Sequence, residues 1–332
     1  MYQCRLRYIG KRLPDETVSG RTLVCAEVHF LPYMNLRPAS SVSLAPRFDS
    51  VRLIVSDVDD TLAPPFRDIP AALAHALTRL AGNGTILFLV SGQSIENIER
   101  RVVRAFPRSL RRNILVGHCH GAEVFGYDRA GWRVIPPLFS IRESAALAGV
   151  FGQVLTLVTG VLTDHGIAVA SPGTLLEDRG VQVTVDFPAL GISPADRRAV
   201  LIAALNDRLA EAGLPVEARM AGHLGIDIMA RGVDKSLPLS RLLDAGNSFR
   251  LTMPEGRVTG DWDDIEVWGD QFSPPDLDAD LRMLAALPPG VRAINFGTAV
   301  SFRPGAAGKP AGLRTARVPG PAGVLDYLVR DE

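Results

Sequence analysis

Short apolar runs that alternate with helical patterns constrain this fold more than any other feature of the sequence. VRLIV (51–55), TILFLV (85–90) and NILVG (113–117) are largely apolar, as strands buried on both faces of a parallel sheet are. Residues 69–81 and 94–106, between these runs, carry apolar side chains at helical spacing. This order predicts an α/β fold with a doubly wound parallel sheet, whose ligands bind at the carboxyl ends of the strands.

The pattern changes between residues 126 and 224, where we expect a small α+β domain. Its segments are, in order, a helical pattern over 142–164, the alternating run VQVTVDF (181–187), a helical pattern over 194–213, and the strand-like runs PVEARM (215–220) and GIDIMA (225–230). Buried-strand patterns return at 265–269 and 293–297, so this domain is inserted into the first. The predicted division is a poorly defined N-terminal extension at 1–50, a core at 51–125 and 225–332, and the insertion at 126–224.

Charge and composition argue against several function classes. The 332 residues include 36 basic and 36 acidic side chains and are 47% hydrophobic, so the chain can bury a core but has no excess of positive charge for nucleic acid. No run reaches the roughly 18 apolar residues that span a membrane. Cys4, Cys25 and Cys119 are odd in number and far apart, which fits reduced thiols. We expect a soluble cytoplasmic protein without nucleic-acid or membrane partners. Its oligomeric state stays open.

Three carboxylates follow the first predicted strand directly. Asp57, Asp59 and Asp60 repel one another unless a cation is present, and Mg²⁺ prefers such hard oxygen ligands. An aspartate can also attack phosphorus, and the residue two positions further on points to the same side and can pass a proton to the leaving oxygen. The alternative is an acidic loop that caps a helix.

The run Asp57-Val58-Asp59-Asp60-Thr61 after an apolar strand resembles the first motif of the haloacid dehalogenase superfamily of phosphohydrolases. The resemblance implies that Asp57 is the nucleophile and Asp59 the general acid and base. It also implies that Thr61 binds phosphate and that Asp57 and the main-chain carbonyl of Asp59 bind Mg²⁺.

The second and third motifs of that superfamily follow in order. Ser91-Gly92 ends the second strand, where the family binds phosphate, although a serine there can also be a helix N-cap. Lys235 begins an amphipathic helix and matches the family's lysine, which neutralises the nucleophile and the phosphate. A surface ammonium is the alternative, but 33 of the 36 basic residues are arginine, so a lysine here stands out.

The fourth motif is expected after a strand, as Gly-Asp followed by further acids. Gly269-Asp270 fits, and Asp270 is the implied magnesium ligand. Among the acids that follow, Asp278 has the spacing of phosphomannomutases and is preferred, with Asp276 in reserve. Gly260-Asp261 is a weaker candidate for the fourth motif, because it precedes the predicted strand at 265–269 rather than following it.

The motif spacing implies the subfamily. Asp57 and Ser91 are 34 positions apart, whereas Ser91 and Lys235 are 144 apart, which leaves room for a large inserted α+β cap. The cap subfamily includes trehalose-phosphate, sucrose-phosphate and mannosylglycerate-phosphate phosphatases and the phosphomannomutases.

Two shorter matches resemble trehalose-phosphate phosphatases in particular. They are His120-Gly121-Ala122-Glu123 and Glu177-Asp178-Arg179-Gly180. The resemblance implies that Glu123, Glu177 and Arg179 contact sugar hydroxyls, although Glu177 and Arg179 could instead pair with each other. The chain departs from that family in Gln93 and Arg179, where the family has arginine and lysine, and in lacking its compact fourth motif.

Other candidate sites are weaker. His118 and His120 could bind a transition metal but lack a third ligand nearby in sequence, and Cys119 between them is expected to be buried rather than nucleophilic. No glycine-rich nucleotide motif is present. The sequence therefore predicts a Mg²⁺-dependent phosphomonoesterase acting on a sugar phosphate or related polyol phosphate. The alternatives are a phosphosugar mutase and an inactive relative that binds a phosphorylated ligand.

Overall fold

A computed structural model describes residues 43–167, 169, 176–186, 195–222, 225–272, 280–298 and 312–330. The strands in these ranges are β1 (Leu53–Ser56), β2 (Ile86–Val90), β3 (Ile114–His118), β4 (Glu123–Phe125), β5 (Phe139–Ser140), β6 (Leu176–Asp178), β7 (Gln182–Asp186), β8 (Val216–Ala221), β9 (Gly225–Ala230), β10 (Leu243–Asp244), β11 (Phe249–Met253), β12 (Gly256–Gly260), β13 (Ile265–Gly269), β14 (Arg292–Asn295) and β15 (Leu313–Thr315). The α-helices are α1 (Ala71–Gly82), α2 (Ile95–Arg101), α3 (Val150–Asp164), α4 (Ala195–Glu211), α5 (Leu237–Leu242), α6 (Leu281–Ala285) and α7 (Gly320–Val329).

An eight-stranded sheet in the order β15-β14-β13-β1-β2-β3-β4-β5 forms the larger layer. The pairs from β15 to β3 are parallel, and β4 and β5 add an antiparallel edge. Alternate strand residues enter two separate cores. Ile54 packs in the cluster that includes residues of α1, α2 and α7, whereas Leu53 and Val55 pack in the cluster that includes residues of α5 and α6. Helices therefore cover both faces, and the predicted doubly wound fold class is confirmed.

The second layer is a four-stranded antiparallel sheet in the order β6-β7-β9-β8. Apolar side chains of α3 and α4 share one core with those of this sheet. The predicted insertion thus contains an α+β layer. The run GIDIMA was expected in this layer, and β9 does pair with both β7 and β8, but the predicted boundary at residue 224 excludes it. A strand between two others is buried along its length, and that pattern resembles a strand of the parallel sheet.

Two local predictions differ from the structure. The helix expected over 142–164 begins only at Val150, because Gly149 takes a left-handed φ of 72° after two 3₁₀ turns. The β11–β12 hairpin was not predicted, although FRLTM alternates in burial along β11. The division into three segments stays a prediction, and of the N-terminal extension only residues 43–50 lie within the described ranges.

One described stretch, Ala145–Asp164, is long and apolar enough to cross a membrane by length and composition alone. Val150, Val154, Val158 and Val161 within it pack in the core shared with α4 and the four-stranded sheet. Gly152, Gln153, Thr156 and Thr163 face outward, so α3 has the amphipathic pattern of a helix on a sheet.

Candidate active site

Parallel neighbours bring the predicted motifs to one edge of the large sheet. β1 lies between β2 and β13, and Ser56 at its end is opposite Leu89 and Trp268. The residues that follow these three strands therefore emerge side by side. They include Asp57, Ser91 and Asp270. The Asp57 N–H donates to the Trp268 carbonyl at 2.9 Å, which fixes the start of the first motif.

A buried ammonium lies at the centre of this edge. Lys235 Nζ is 2.5 Å from Asp57 Oδ1 and 2.7 Å from Asp280 Oδ1. All three side chains are buried, which rules out the alternative that Lys235 is a surface lysine. The acidic run does not cap a helix either, since α1 begins only at Ala71, after Pro70.

Asp280 is a site residue that the sequence analysis passed over. Its Oδ2 accepts the main-chain N–H groups of Asp270 at 2.9 Å and Gln271 at 2.8 Å, and its side chain is fully buried. The close approach leaves no room for a side chain at Gly269, because a Cβ there would lie 2.4 Å from Asp280 Oδ2. The preferred Asp278 and the reserve Asp276 lie outside the described residues.

The buried carboxylates of this edge could hold a metal ion. Among the residues that the structure describes, carboxylate oxygens of Asp57, Asp270 and Asp280 lie within 4.8 Å of one another. Three carboxylates face one ammonium, so negative charge is in excess. Burial, and to a smaller extent the negative charge of Asp280, raise the pKa of Asp270 to about 7. Burial also raises the pKa of Asp57 well above its usual value. Burial alone would lower the pKa of Lys235, but Asp280 and Asp57 together raise it. A hard divalent cation would relieve this excess.

Asp59 points to a different partner. Its Oδ1 is 2.7 Å from Nη1 of Arg101, a fully buried residue at the end of α2. Arg101 was not among the predicted site residues. The signal was its helical spacing, since Arg101 follows Ile95 and Ile98 at intervals of three residues and so continues the buried face of α2.

The predicted phosphate-binding residues lie at the same edge of the sheet as the cluster. Thr61 Oγ1 donates to Asp270 Oδ1 at 3.3 Å. Ser91 is buried and its Oγ accepts the N–H of Gln93 at 3.1 Å, while Ser94 is the N-cap residue of α2. The N-cap alternative for Ser91 is therefore wrong. Gly92 has no room for a side chain, because a Cβ there would lie 2.7 Å from His120 Nε2.

The four-stranded sheet contacts the Ser91–Gly92 turn directly. The Gly92 carbonyl accepts Arg179 Nη1 at 2.7 Å and Gln182 Nε2 at 3.3 Å. His120 Nε2 lies 3.0 Å from Asp227 Oδ2 of β9, and Thr184 donates to the other oxygen of that carboxylate at 2.7 Å. Gln182, Thr184, Asp227 and His120 at this junction were not predicted to act together.

The three predicted sugar contacts lie in two places. Glu177 is exposed and pairs with Arg179 at 2.6 Å, as the alternative interpretation expected. Glu123 lies on β4 of the large sheet and is already engaged by His118 at 3.1 Å, Ser140 at 2.7 Å and Arg142 at 2.9 Å. Burial raises the pKa of Glu123, but the bonds from His118 and Ser140 and the Arg142 charge outweigh it and hold that pKa below its usual range.

The remaining candidates have structural partners. His118 pairs with Glu123 and His120 with Asp227, so the two rings face different groups. Cys119 is buried, and burial raises the pKa of its thiol, which argues against a nucleophile. Asp261 caps the 3₁₀ turn before β13, at the opposite end of that strand from Asp270.

This arrangement defines an α/β protein with a buried acidic site at the carboxyl edge of its sheet and a second layer resting on it. No protein-family model and no curated protein matches the sequence. Solved structures do match. A trehalose-6-phosphate phosphatase related protein is 17% identical over 83% of this chain and 95% of its own, with a TM-score of 0.51.

Two further structures match with TM-scores below 0.5. A trehalose-6-phosphate phosphatase from Aspergillus fumigatus is 18% identical over 84% of this chain and 91% of its own, with a TM-score of 0.47. An N-terminally truncated IMP-nucleotidase from Plasmodium falciparum is 14% identical over 85% of this chain and 70% of its own, with a TM-score of 0.49. The likeness to the related protein above concerns the fold alone, and that fold agrees with the α/β fold that the sequence predicts.

The raised carboxyl pKa values predict how pH and magnesium act on stability. Between the ordinary aspartate pKa of 3.8 and about 7, the folded protein holds a proton on Asp270 that the unfolded chain has released. The metal-free protein should therefore lose stability as pH rises through this window. A cation held by these carboxylates would bind their ionised form, so Mg²⁺ should raise the Tm more at about pH 8 than at about pH 5.

Thermal unfolding with and without Mg²⁺, at both pH values, measures the change in Tm that Mg²⁺ causes. Asp270→Asn is the matched variant, because it removes the titrating group and keeps the side-chain shape. If Mg²⁺ raises the Tm equally at both pH values, or by the same amount in Asp270→Asn, then Asp270 is not the titrating group that binds the cation.

Proposed function

We propose that this protein is a Mg²⁺-dependent phosphomonoesterase that hydrolyses a sugar phosphate or related polyol phosphate through an aspartyl-phosphate. The observation that carries the proposal is the buried Lys235 ammonium between Asp57 and Asp280, beside Asp270, at the ligand-binding edge of an α/β sheet. An isolated buried cluster of this kind is costly, so its presence favours a function that uses its charges.

In this proposal Asp57 is the nucleophile. One of its oxygens attacks phosphorus, the bond from phosphorus to the ester oxygen breaks, and that oxygen takes a proton from Asp59. Asp59 then removes a proton from the water that hydrolyses the aspartyl-phosphate, which releases phosphate and restores Asp57. Lys235, Ser91, Thr61 and the turn at Gly92 hold the phosphoryl oxygens.

The carboxylates of Asp57 and Asp270 and the main-chain carbonyl of Asp59 are the proposed magnesium ligands, with Asp278 as a further candidate. Bound Mg²⁺ would neutralise the charge that makes a phosphate ester repel a carboxylate. Both oxygens of Asp280 are engaged by Lys235 and by the main chain of 270–271, so its proposed role is to hold these groups in place.

A sugar or polyol as the leaving group is supported by the second layer. We propose that this layer is a cap and that Glu177 and Arg179 contact substrate hydroxyls, because Arg179 also reaches the turn beside Ser91. The solved structure with the similar fold is itself described as related to a trehalose-6-phosphate phosphatase. Glu123 is a weaker candidate, since three side chains already surround its carboxylate. A cytoplasmic location stays a prediction.

Replacement of the two catalytic aspartates tests the mechanism. Asp57→Asn should abolish turnover with the fold intact, because the change is isosteric and removes the nucleophile. Asp59→Asn should lower kcat by about 10²–10⁴-fold, the usual contribution of a general acid–base. Phosphate release by the purified variants and their circular dichroism measure both effects. Turnover by Asp57→Asn beyond trace deamidation refutes the covalent route.

Metal removal and product analysis separate this function from its alternatives. EDTA should stop phosphate release from a panel of phosphate esters, and added Mg²⁺ should restore it. A mutase would instead move the phosphoryl group from a labelled sugar bisphosphate to a second hydroxyl without release. A protein that binds phosphate esters but turns over none of them would be an inactive relative.

The cap residues should affect substrates unequally. Glu177→Ala or Arg179→Ala should lower kcat/KM for the best sugar phosphate of the panel strongly, and for p-nitrophenyl phosphate only slightly, because binding energy from the non-reacting part of a substrate aligns the reacting part. Arg208→Ala, an exposed arginine on α4, is the control. Equal losses for the two esters would mean that the Glu177–Arg179 pair serves only the fold.

A further inference from the structure

Arg101 has no role in the proposed reaction, yet it is the most deeply buried arginine near the site. Its side chain is 1% exposed, although α2 also carries the solvent-exposed Arg100 beside it. Burying a guanidinium is costly unless its N–H groups find partners. The partners of Arg101 therefore show what the burial achieves.

Two of those partners are main-chain carbonyls of the loop between β1 and α1. Arg101 Nε donates to the Arg67 carbonyl and Nη2 donates to the Pro64 carbonyl, both at 2.8 Å. The main chain is joined as well, because the Ile69 N–H donates to the Arg101 carbonyl at 3.0 Å. The planar guanidinium is thus held in one orientation by two fixed acceptors.

The third partner is Asp59. With Nε and Nη2 fixed, Nη1 lies 2.7 Å from Asp59 Oδ1. The contact is a close ion pair without the alignment of a hydrogen bond, so it holds the carboxylate through charge. The Asp59 main chain is also fixed, because the loop closes on itself. The N–H groups of Leu62 and Ala63 both donate to the Val58 carbonyl at 2.9 Å.

We infer that Arg101 is a positioning residue that holds the Asp59 carboxylate where it exchanges a proton with the leaving-group oxygen. The inference rests on the proposed function, which gives Asp59 that proton. Arg101 does not touch the substrate and acts only through Asp59. A side chain that transfers a proton must keep a set position, and a displacement of about 1 Å can cost about 10²-fold in rate.

Leaving-group dependence separates this role from a purely structural one. An alkyl phosphate expels an alkoxide that needs a proton, whereas p-nitrophenolate is a stable anion that leaves without one. kcat/KM reports all steps up to departure of the leaving group. Arg101→Met should therefore lower kcat/KM for the alkyl ester by about 10–100-fold, and that for p-nitrophenyl phosphate by several-fold at most.

Three variants complete the kinetic test. Arg100→Met, at the exposed neighbouring arginine, should leave both values unchanged. Arg101→Met added to Asp59→Asn should cause no further change in the ratio of the two esters, since the group that it positions is already gone. If Arg101→Met fails to fold, Arg101→Lys keeps the buried charge but loses the planar guanidinium and its several N–H donors. It should show a smaller loss of kcat/KM that is again selective for the alkyl ester. Equal losses for both esters overturn the inference.

A crystal structure of Arg101→Met, or of Arg101→Lys, gives a readout that does not depend on turnover. The inference expects the Asp59 carboxylate to leave the position that it has in the wild type. A carboxylate that stays there overturns the inference, even if the leaving-group effect is seen. If the wild-type protein cleaves no ester of the panel, the proposed function fails, whereas the position of Asp59 still decides whether Arg101 holds it.

Discussion

The ammonium of Lys235 is the interaction on which the rest of the site depends. It lies between Asp57, which follows β1, and Asp280, which precedes α6. Asp280 in turn binds the main chain after β13, so one charge joins three separate parts of the chain. Removing the ammonium would leave the carboxylates around it uncompensated, at a cost of about 3–5 kcal/mol. The geometry of the edge is therefore set by charge balance as much as by packing.

The turn at Gly92 makes a second link, between the two layers. Its carbonyl accepts from Arg179 and Gln182 of the smaller layer, while the preceding residue, Ser91, follows β2 at the edge of the large sheet where Asp57 also emerges. His120 occupies the space that a side chain at position 92 would need, and it reaches Asp227 of β9. Separating the two layers would have to break these bonds, so a displacement of the smaller sheet acts directly on the proposed phosphate-binding turn.

The sequence was sufficient to predict the parallel sheet and the residues that follow its strands. β1, β2, β3 and β13 are buried on both faces, and such strands have an unmistakable apolar pattern. Asp57 and Asp270 could be found because each follows such a strand, and Lys235 because it lies at the start of an amphipathic helix. β9 was expected among the strands of the α+β domain, but the boundary at residue 224 was placed before it, because a central antiparallel strand covered by helices is as apolar as a parallel one.

Residues whose importance comes from tertiary partners were harder to predict. Asp280 is one of several acids in a short run, and only its contact with Lys235 distinguishes it. Arg101 is one of 33 arginines, and its burial depends on carbonyls more than thirty positions away in the chain. Both cases have the same physical basis, because a charge can be buried only where its partners are already fixed. A charged residue at a position where the helical pattern expects an apolar one, such as Arg101 on α2, therefore indicates a buried charge with fixed partners.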